Sequence, residues 1–229
     1  MSEEISMRPI GWVESCFGEK FGTPRQSGIV PEARGRVVFS DEVPSDASRG
    51  LEEFSHIWIV FLFDQVKEEE ARWFVRPPRL GGNHKKGVLA TRSPFRPNRI
   101  GLSLVALESV SKGALEVSGL DLVEGTPVLD IKPYLPYAES LREAEGGFAK
   151  EAPEPLAVEF CDEAKVGLSE ETMALIARVL AIDPRPAFHN DEERIYGCQL
   201  AGVNVKWQVK GGRVLVLTQE SLSSSQNIV

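Results

Sequence analysis

Ile57 to Phe63 is an unbroken run of seven apolar residues, the longest in the chain. Seven residues are too few to cross a bilayer and too few for a buried helix of ordinary length. Across Phe54 to Phe63 the run is rich in Trp, Ile, Val and Phe, which predicts a strand buried on both faces. Shorter runs of the same character lie at Ile10 to Val13, Gly35 to Phe39, Val88 to Ala90, Ile100 to Leu107 and Val128 to Ile131. Leu115 to Leu122, preceded by Lys112-Gly113, reads as the return arm of a hairpin. Over the first 140 residues, helical signals are confined to Ala47 to Glu53 and Glu68 to Phe74. Many short strands and few helices predict a mainly β fold, a barrel or sandwich rather than a doubly wound sheet.

The pattern changes after residue 140. Glu139, Glu143, Glu145, Glu151 and Glu154 cluster with Gly146-Gly147 and two prolines, the composition of a linker. Ser169 then stands as an N-cap, with Glu170 and Glu171 behind it and Leu175, Ile176, Val179 and Leu180 at helical spacing. Asp183-Pro184 ends that helix. Val203, Val205, Trp207 and Val209 alternate, Gly211-Gly212 turns the chain and Val214 to Leu217 returns. The expected organisation is a β unit over 1–140, a linker over 141–155, a small α+β unit over 156–222 and a frayed tail over 223–229.

The chain has 229 residues and a net charge of −8. The segment from Arg72 to Arg99 contradicts that average, with eight Lys or Arg and no acid; the remaining 18 basic and 34 acidic residues leave −16 elsewhere. A +8 segment in an acidic protein either makes a local field for a polyanion or solvates a loop. Cys16, Cys161 and Cys198 are odd in number and scattered, and an acidic N-terminus lacks an apolar signal core. Both features read as reduced thiols in a cytoplasmic protein.

No Gly-x-Gly occurs, so the dinucleotide fingerprint is absent, and neither a P-loop nor a Gly-x-Ser-x-Gly elbow is present. His56, His84 and His189 lack metal-ligand spacing, so no metal is expected. His56 reads as a core or rim residue of the apolar strand. The chemistry gathers instead in stiff basic connections: Pro24-Arg25-Gln26, Val75 to Asn83 and Ala90 to Gly101. Proline fixes such loops, glycine admits close ligand approach and arginine offers a fork for phosphate or carboxylate. Three carboxylates, Asp121, Glu124 and Asp130, surround a Gly-Thr-Pro turn, and Asp64-Gln65 ends the apolar strand. Carboxylates at strand ends suit a cation, a ribose diol or a proton in transit.

Phe21 to Gln26, Arg49 to Trp58, Arg76 to Asn83, Ala90 to Ser103, Leu120 to Tyr137 and Asp183 to Phe188 together resemble the TrmO (YaeB-like) family of S-adenosylmethionine-dependent tRNA N6-methyltransferases. The strings Ala90-Thr-Arg-Ser-Pro-Phe-Arg-Pro-Asn98 and Gly125-Thr-Pro-Val-Leu-Asp-Ile-Lys-Pro-Tyr134 carry most of the likeness, which extends over essentially the whole chain. Glu124 stands where the family string has Asp, Asp64 where relatives can carry His, and Phe188 where Tyr is frequent.

The resemblance implies a compact β-barrel methyltransferase unit followed by a small α+β unit, working as a homodimer. It implies methyl transfer from S-adenosylmethionine to N6 of N6-threonylcarbamoyladenosine beside the anticodon. For the cofactor it implies Pro24, Arg25, Gln26, Asp64, Gln65, Arg92, Leu102, Leu122, Val123, Glu124, Gly125 and Thr126 converging on one rim. For the tRNA anticodon loop it implies Arg76, Arg79, Lys85, Lys86, Phe95, Arg96, Arg99, Lys132 and Tyr134, with Phe95 or Tyr134 stacking a base. A urea nitrogen must lose its proton to be methylated, and Asp121 or Asp130 would accept it, Asp121 being preferred. Arg92 or Arg96 would take the threonyl carboxylate. Two other readings remain open on the residues alone: an RNA- or nucleotide-binding barrel without catalysis, and a small-molecule methyltransferase with a structural basic segment.

Overall fold

The computed structural model of the protein describes residues 5–77, 83–186 and 191–222. Twelve strands are defined among them: β1 (Gly11–Ser15), β2 (Arg34–Phe39), β3 (His56–Leu62), β4 (Phe74–Val75), β5 (Lys86–Gly87), β6 (Ile100–Ser111), β7 (Ala114–Ser118), β8 (Pro127–Pro133), β9 (Ala157–Phe160), β10 (Tyr196–Leu200), β11 (Val203–Lys210) and β12 (Arg213–Ser221). The α-helices are α1 (Pro136–Glu139), α2 (Asp162–Lys165) and α3 (Glu170–Ala181).

Six strands close into an antiparallel barrel in the order β1-β2-β7-β6-β3-β8. Closure removes the exposed edges that an open sheet of this size would present. β3 is the most apolar strand, yet it is not buried on both faces. Ile57, Ile59 and Phe61 are buried and alternate with His56, Trp58, Val60 and Leu62, which keep some exposure. A barrel strand has one face inside and one outside, so apolarity overstated the burial. His56 lies exposed at the strand's start, a rim position. The inward residues meet Val13, Val37, Val105, Leu115, Val117 and Val128 in one core.

Four other sequence expectations need correction. Val88–Ala90 is a single 3-10 turn, not a strand. Ala47 to Glu53 and Glu68 to Phe74 yield only the 3-10 turns Leu51–Glu53 and Glu68–Glu70, too polar to bury a helical face. β7 stops at Ser118 because Gly119 takes φ +72°, a turn conformation that breaks the ladder. The short strands β4, β5, β9 and β10 carry too few alternating residues to be read from sequence. The tail at 223–229 lies outside the described residues.

The second unit packs α3 on a four-stranded sheet ordered β10-β11-β12-β9, with β9 parallel to β12. Ser169 caps α3 as its sequence suggests, accepting the Thr172 amide at 3.1 Å. Leu175, Ile176, Val179 and Leu180 are buried, each worth about 1.5–3 kcal/mol relative to exposure. This second core also takes in Phe17, Val30 and Ala33 from the connection between β1 and β2. That connection thus lies against the C-terminal sheet while its two ends belong to the barrel. Phe17 bridges Leu200, and the Ala201 amide donates to Cys16 carbonyl oxygen at 2.8 Å. All three cysteines are free thiols.

Candidate functional site: a basic cleft at one barrel rim

A cleft of about 1800 Å³ opens where β3 ends and β6 begins. Its walls come from the β1–β2 connection (Lys20, Pro24, Arg25, Gln26), the end of β3 with Asp64 and Gln65, and the arm carrying β4 and β5. The loop with Arg92 and Arg96, the start of β6 and the turn with Asp121, Leu122, Val123 and Thr126 complete it. Gly101 sits at the floor under the Phe61 ring. A Cβ there would come within 2.1 Å of that ring, so only glycine lets the phenyl lie flat on β6.

Asp121 is the chemically distinctive group. Burial raises its pKa from 3.8 to about 6. Four weaker influences oppose the rise: the Ser103 hydroxyl, its own backbone amide, the Arg92 charge and a backbone contact at Ser27. Ser103 donates to Asp121 Oδ1 at 2.6 Å. Ser103 is buried on the inward face of β6, so its hydroxyl is aimed rather than free to wander. Sequence reasoning passed over Ser103, although a serine at an inward position of an apolar strand is itself a signal. Arg92 Nη1 donates to Gln26 Oε1 at 3.0 Å, joining two stretches of the cleft wall. The Leu104 amide donates to Ser27 Oγ at 3.0 Å, and the Gly28 amide to Gly119 carbonyl oxygen at 2.8 Å, holding 26–28 across the rim.

The basic arm supplies Arg72, Arg76, Lys85, Arg92 and Arg96 to the cleft. Arg72 lies 5.6 Å above the Phe95 ring and Lys85 lies 4.2 Å above Phe74, which fixes both cations while leaving charge at the opening. Lys86 does not line the cleft and covers Phe148 at 5.3 Å. Part of Arg96 serves its own loop, Nη1 donating to Thr91 and Ser93 carbonyl oxygens. Arg99 is a fastener: its Nη1 donates to Val66 carbonyl oxygen at 2.7 Å, and it does not line the cleft. Arg79 lies outside the described residues. The residues assigned to the site from sequence did not include Lys20, Phe74 or the stretch 146–153, whose Phe148 and Glu151 reach the cleft from the expected linker, and Arg72 was counted only as the start of the basic segment.

Several sequence-selected residues stand apart from this cleft. Asp130 lies on β8, half-exposed, and pairs with Lys132 at 2.7 Å. Neither lines the cleft, because β8 turns that pair to the outer surface. Tyr134 packs edgewise on His56 and Trp58 at the other end of β3. Glu124 accepts the Ser15 amide at 2.6 Å and closes a turn, and with Gly125 it faces away from the cleft. Among the described residues no group of His, Cys, Asp and Glu is arranged to hold a metal. Among them, too, no helix is long and apolar enough to cross a membrane.

The model of the tRNA-methyltransferase O N-terminal domain matches residues 12–140, and that of the TrmO C-terminal domain matches residues 153–221. An Escherichia coli protein named tRNA (adenine(37)-N6)-methyltransferase is 47% identical over 214 residues, covering 87% of this chain and 91% of its own. An Archaeoglobus fulgidus S-adenosyl-L-methionine-binding protein is 36% identical over 140 residues, covering 61% of this chain and 96% of its own. The crystal structure of TrmO from Pseudomonas aeruginosa superimposes with a TM-score of 0.80 at 37% identity, covering 96% of this chain and 100% of that one. The barrel, the cleft and matches across both units together make this chain a member of the TrmO family.

Proposed function

We propose that this chain methylates N6 of N6-threonylcarbamoyladenosine at position 37 of tRNA, with Asp121 as the proton acceptor. At the level of its family the chain is an S-adenosylmethionine-dependent tRNA (adenine-N6)-methyltransferase. The threonylcarbamoyl group, the anticodon-loop contact and the residue roles are the added reading.

The cleft suits the cofactor chemically. S-adenosylmethionine presents a flat purine with a polar edge, a ribose diol, a cationic sulfonium and a zwitterionic amino acid. Ile29 and Leu102 offer apolar surface, Asp64 and Asp121 carboxylates, and Arg25 and Arg92 cations, all lining one cleft. When bound, the cofactor supplies an electrophilic methyl group. The chain's own part is to position and to manage one proton. A urea N–H is far less acidic than a carboxylic acid, so its proton leaves only as the new bond forms. A carboxylate with pKa near 6 is a stronger base than a free Asp and is still ionised at neutral pH. The Ser103 hydroxyl and the Arg92 charge favour its ionised form. Arg92 and Arg96, at the same opening, supply forks for a threonyl carboxylate.

The observation that carries the reading is the raised, aimed Asp121 inside a cleft whose mouth is lined by arginine and lysine. A purely RNA-binding barrel leaves that buried acid without a purpose. The test is incubation with labelled S-adenosylmethionine and total tRNA, followed by nucleoside digestion. Label in N6-methyl-N6-threonylcarbamoyladenosine supports the proposal; label in plain N6-methyladenosine removes the threonylcarbamoyl part; no label in tRNA sinks it.

Homodimerisation and a cytoplasmic setting belong to the same proposal. Trp73, Phe74 and Leu89 are exposed large apolar residues on or beside the β4–β5 arm, a patch suited to a second copy. Light scattering in solution tests the dimer. The division at 141–155 is proposed likewise, supported by separate sheets on either side.

A further inference from the structure

The Asp183-Pro184-Arg185 turn after α3 is outside the cleft lining, yet it is built with more care than a connection needs. Asp183 has φ +50°, an uncommon conformation for a residue with a side chain. Its carboxylate accepts a fork from Arg185, Nε to Oδ1 at 2.8 Å and Nη2 to Oδ2 at 3.1 Å. The Arg185 amide adds a third bond to Oδ1 at 3.3 Å. Both side chains are largely buried, 13% and 14% exposed. A shielded bidentate pair of this kind fixes geometry far better than a surface pair. Its product is the direction of the Arg185 carbonyl, which accepts Arg25 Nη2 at 3.3 Å.

Arg25 stands in the cleft wall beside Gln26, whose amide oxygen accepts Arg92. The same connection rests on the C-terminal unit before and after residues 24–26. The Phe21 ring lies 6.3 Å from Trp207 at 8° to it, and Tyr196 stacks on Trp207 at 4.9 Å while also interacting with Arg185. Gly22, at φ +96°, runs so close to Cys198 that a Cβ would stand 3.2 Å from its sulfur. The Gln199 amide donates to Glu19 Oε1 at 2.8 Å. The strip bearing Pro24, Arg25 and Gln26 is therefore supported by the second unit along one side and by the barrel rim along the other.

We propose that Asp183 and Arg185 are positioning residues of the methyl-transfer site: through the Arg185 carbonyl and Arg25 they set the 24–26 strip against the cofactor. This inference rests on the function proposed above. It gives the C-terminal unit a task within the cleft, which neither its distance in sequence nor its fold announces.

The test uses the full chain and two readouts. Asp183→Asn keeps a residue tolerant of positive φ but weakens the fork to Arg185. It should weaken S-adenosylhomocysteine binding in calorimetry about tenfold, as for a lost bond to a charged group. The KM for tRNA should stay within about twofold of wild type. In an Arg25→Ala background the same substitution should add less than about twofold, because the route is already cut. Arg185→Lys, which keeps the charge and loses the fork, should show the same pattern and guards against a poorly folded first variant. Hydrogen exchange over 21–30, measured without ligand, should quicken in both variants. Unchanged exchange over 21–30 overturns the proposal, as does a full tenfold loss persisting beside Arg25→Ala. A wild-type protein that binds no S-adenosylhomocysteine overturns the methyltransferase reading instead, and the exchange result still decides whether the turn holds the strip.

Discussion

Ser103 points its hydroxyl at Asp121 Oδ1 across 2.6 Å, from an inward position of β6 to the turn that follows β7. The bond ties the floor of the cleft to its one strongly shifted acid. Removing the hydroxyl with Ser103→Ala removes an influence that lowers the Asp121 pKa. The acidic limb of the pH–rate profile, expected near pH 6, should therefore move upward. Initial rates between pH 5 and pH 8 measure it, and an unmoved limb would mean that Asp121 is not the titrating group.

Asp121→Asn should lower the methylation rate by roughly 10²–10⁴ while S-adenosylhomocysteine and tRNA affinities stay close to wild type. Asp130→Asn should cost less than about threefold, because its carboxylate faces solvent with Lys132, and exposed pairs contribute about 1 kcal/mol or less. Single-turnover rates separate the two. Equal losses would return Asp130 to the catalytic role that its motif suggests.

The Asp121 substitution should also change stability, with a definite sign. The folded pKa of about 6 lies above the ordinary 3.8, so the folded state binds this proton more tightly than the unfolded one. Its stabilising contribution is full below pH 3.8 and is lost as the pH rises through 6. Asp121→Asn should thus be more stable than wild type at pH 8, on the order of 3 kcal/mol, and show little advantage at pH 4. Urea denaturation at the two pH values reads this out; a variant weakened equally at both would show that the carboxylate is chiefly a hydrogen-bonding strut.

Lys85→Ala should weaken tRNA binding and flatten its salt dependence, by up to about 0.9 in the log–log slope for one lost phosphate contact. Lys85 is a cleaner probe than Arg96, whose guanidinium also holds its own loop through Thr91 and Ser93. Filter binding at several salt concentrations measures the slope. Wild-type behaviour throughout would make the Arg72 to Arg99 segment a solvated face.

Gly101→Ala should drive the Phe61 ring off β6 and into the cleft, since the added Cβ would lie 2.1 Å from it. Overpacking of this kind costs about 1–3 kcal/mol. Lower cofactor affinity together with a lower melting temperature is the expected result; unchanged affinity would show that the ring does not border the ligand.

The barrel was largely legible because its strands carry their own signal: β-branched runs punctuated by glycine and proline. Ser169 and the spacing of Leu175, Ile176, Val179 and Leu180 likewise announce α3 in the sequence. Val88–Ala90 failed because three apolar residues carry no period. The cleft was partly legible: Pro24, Gln26, Asp64, Arg92 and Asp121 sit in constrained loops, and those loops do meet. Asp130, Lys132 and Tyr134 share the string that contains Asp121's neighbours, but the register of β8 shifts between Val128 and Asp130, so the inward face that holds Val128 is not the face of Asp130, and plain alternation along the string does not announce that irregularity. Phe148 and Ser103 escaped for opposite reasons, one inside a stretch of linker composition, the other inside an apolar strand.

The bond from the Gln199 amide to Glu19 spans 180 residues. At about 5–20 residues per second, a ribosome needs roughly 10–40 s to make the second partner after the first. The barrel strands have all been synthesised well before then, yet the strip beside the cleft has no C-terminal sheet to lie on. A nascent chain therefore owns its basic surface before it owns a finished site. On the proposal above, the 24–26 strip is then the last wall of the cleft to gain its support, and residues 183–200 bring that support when they emerge.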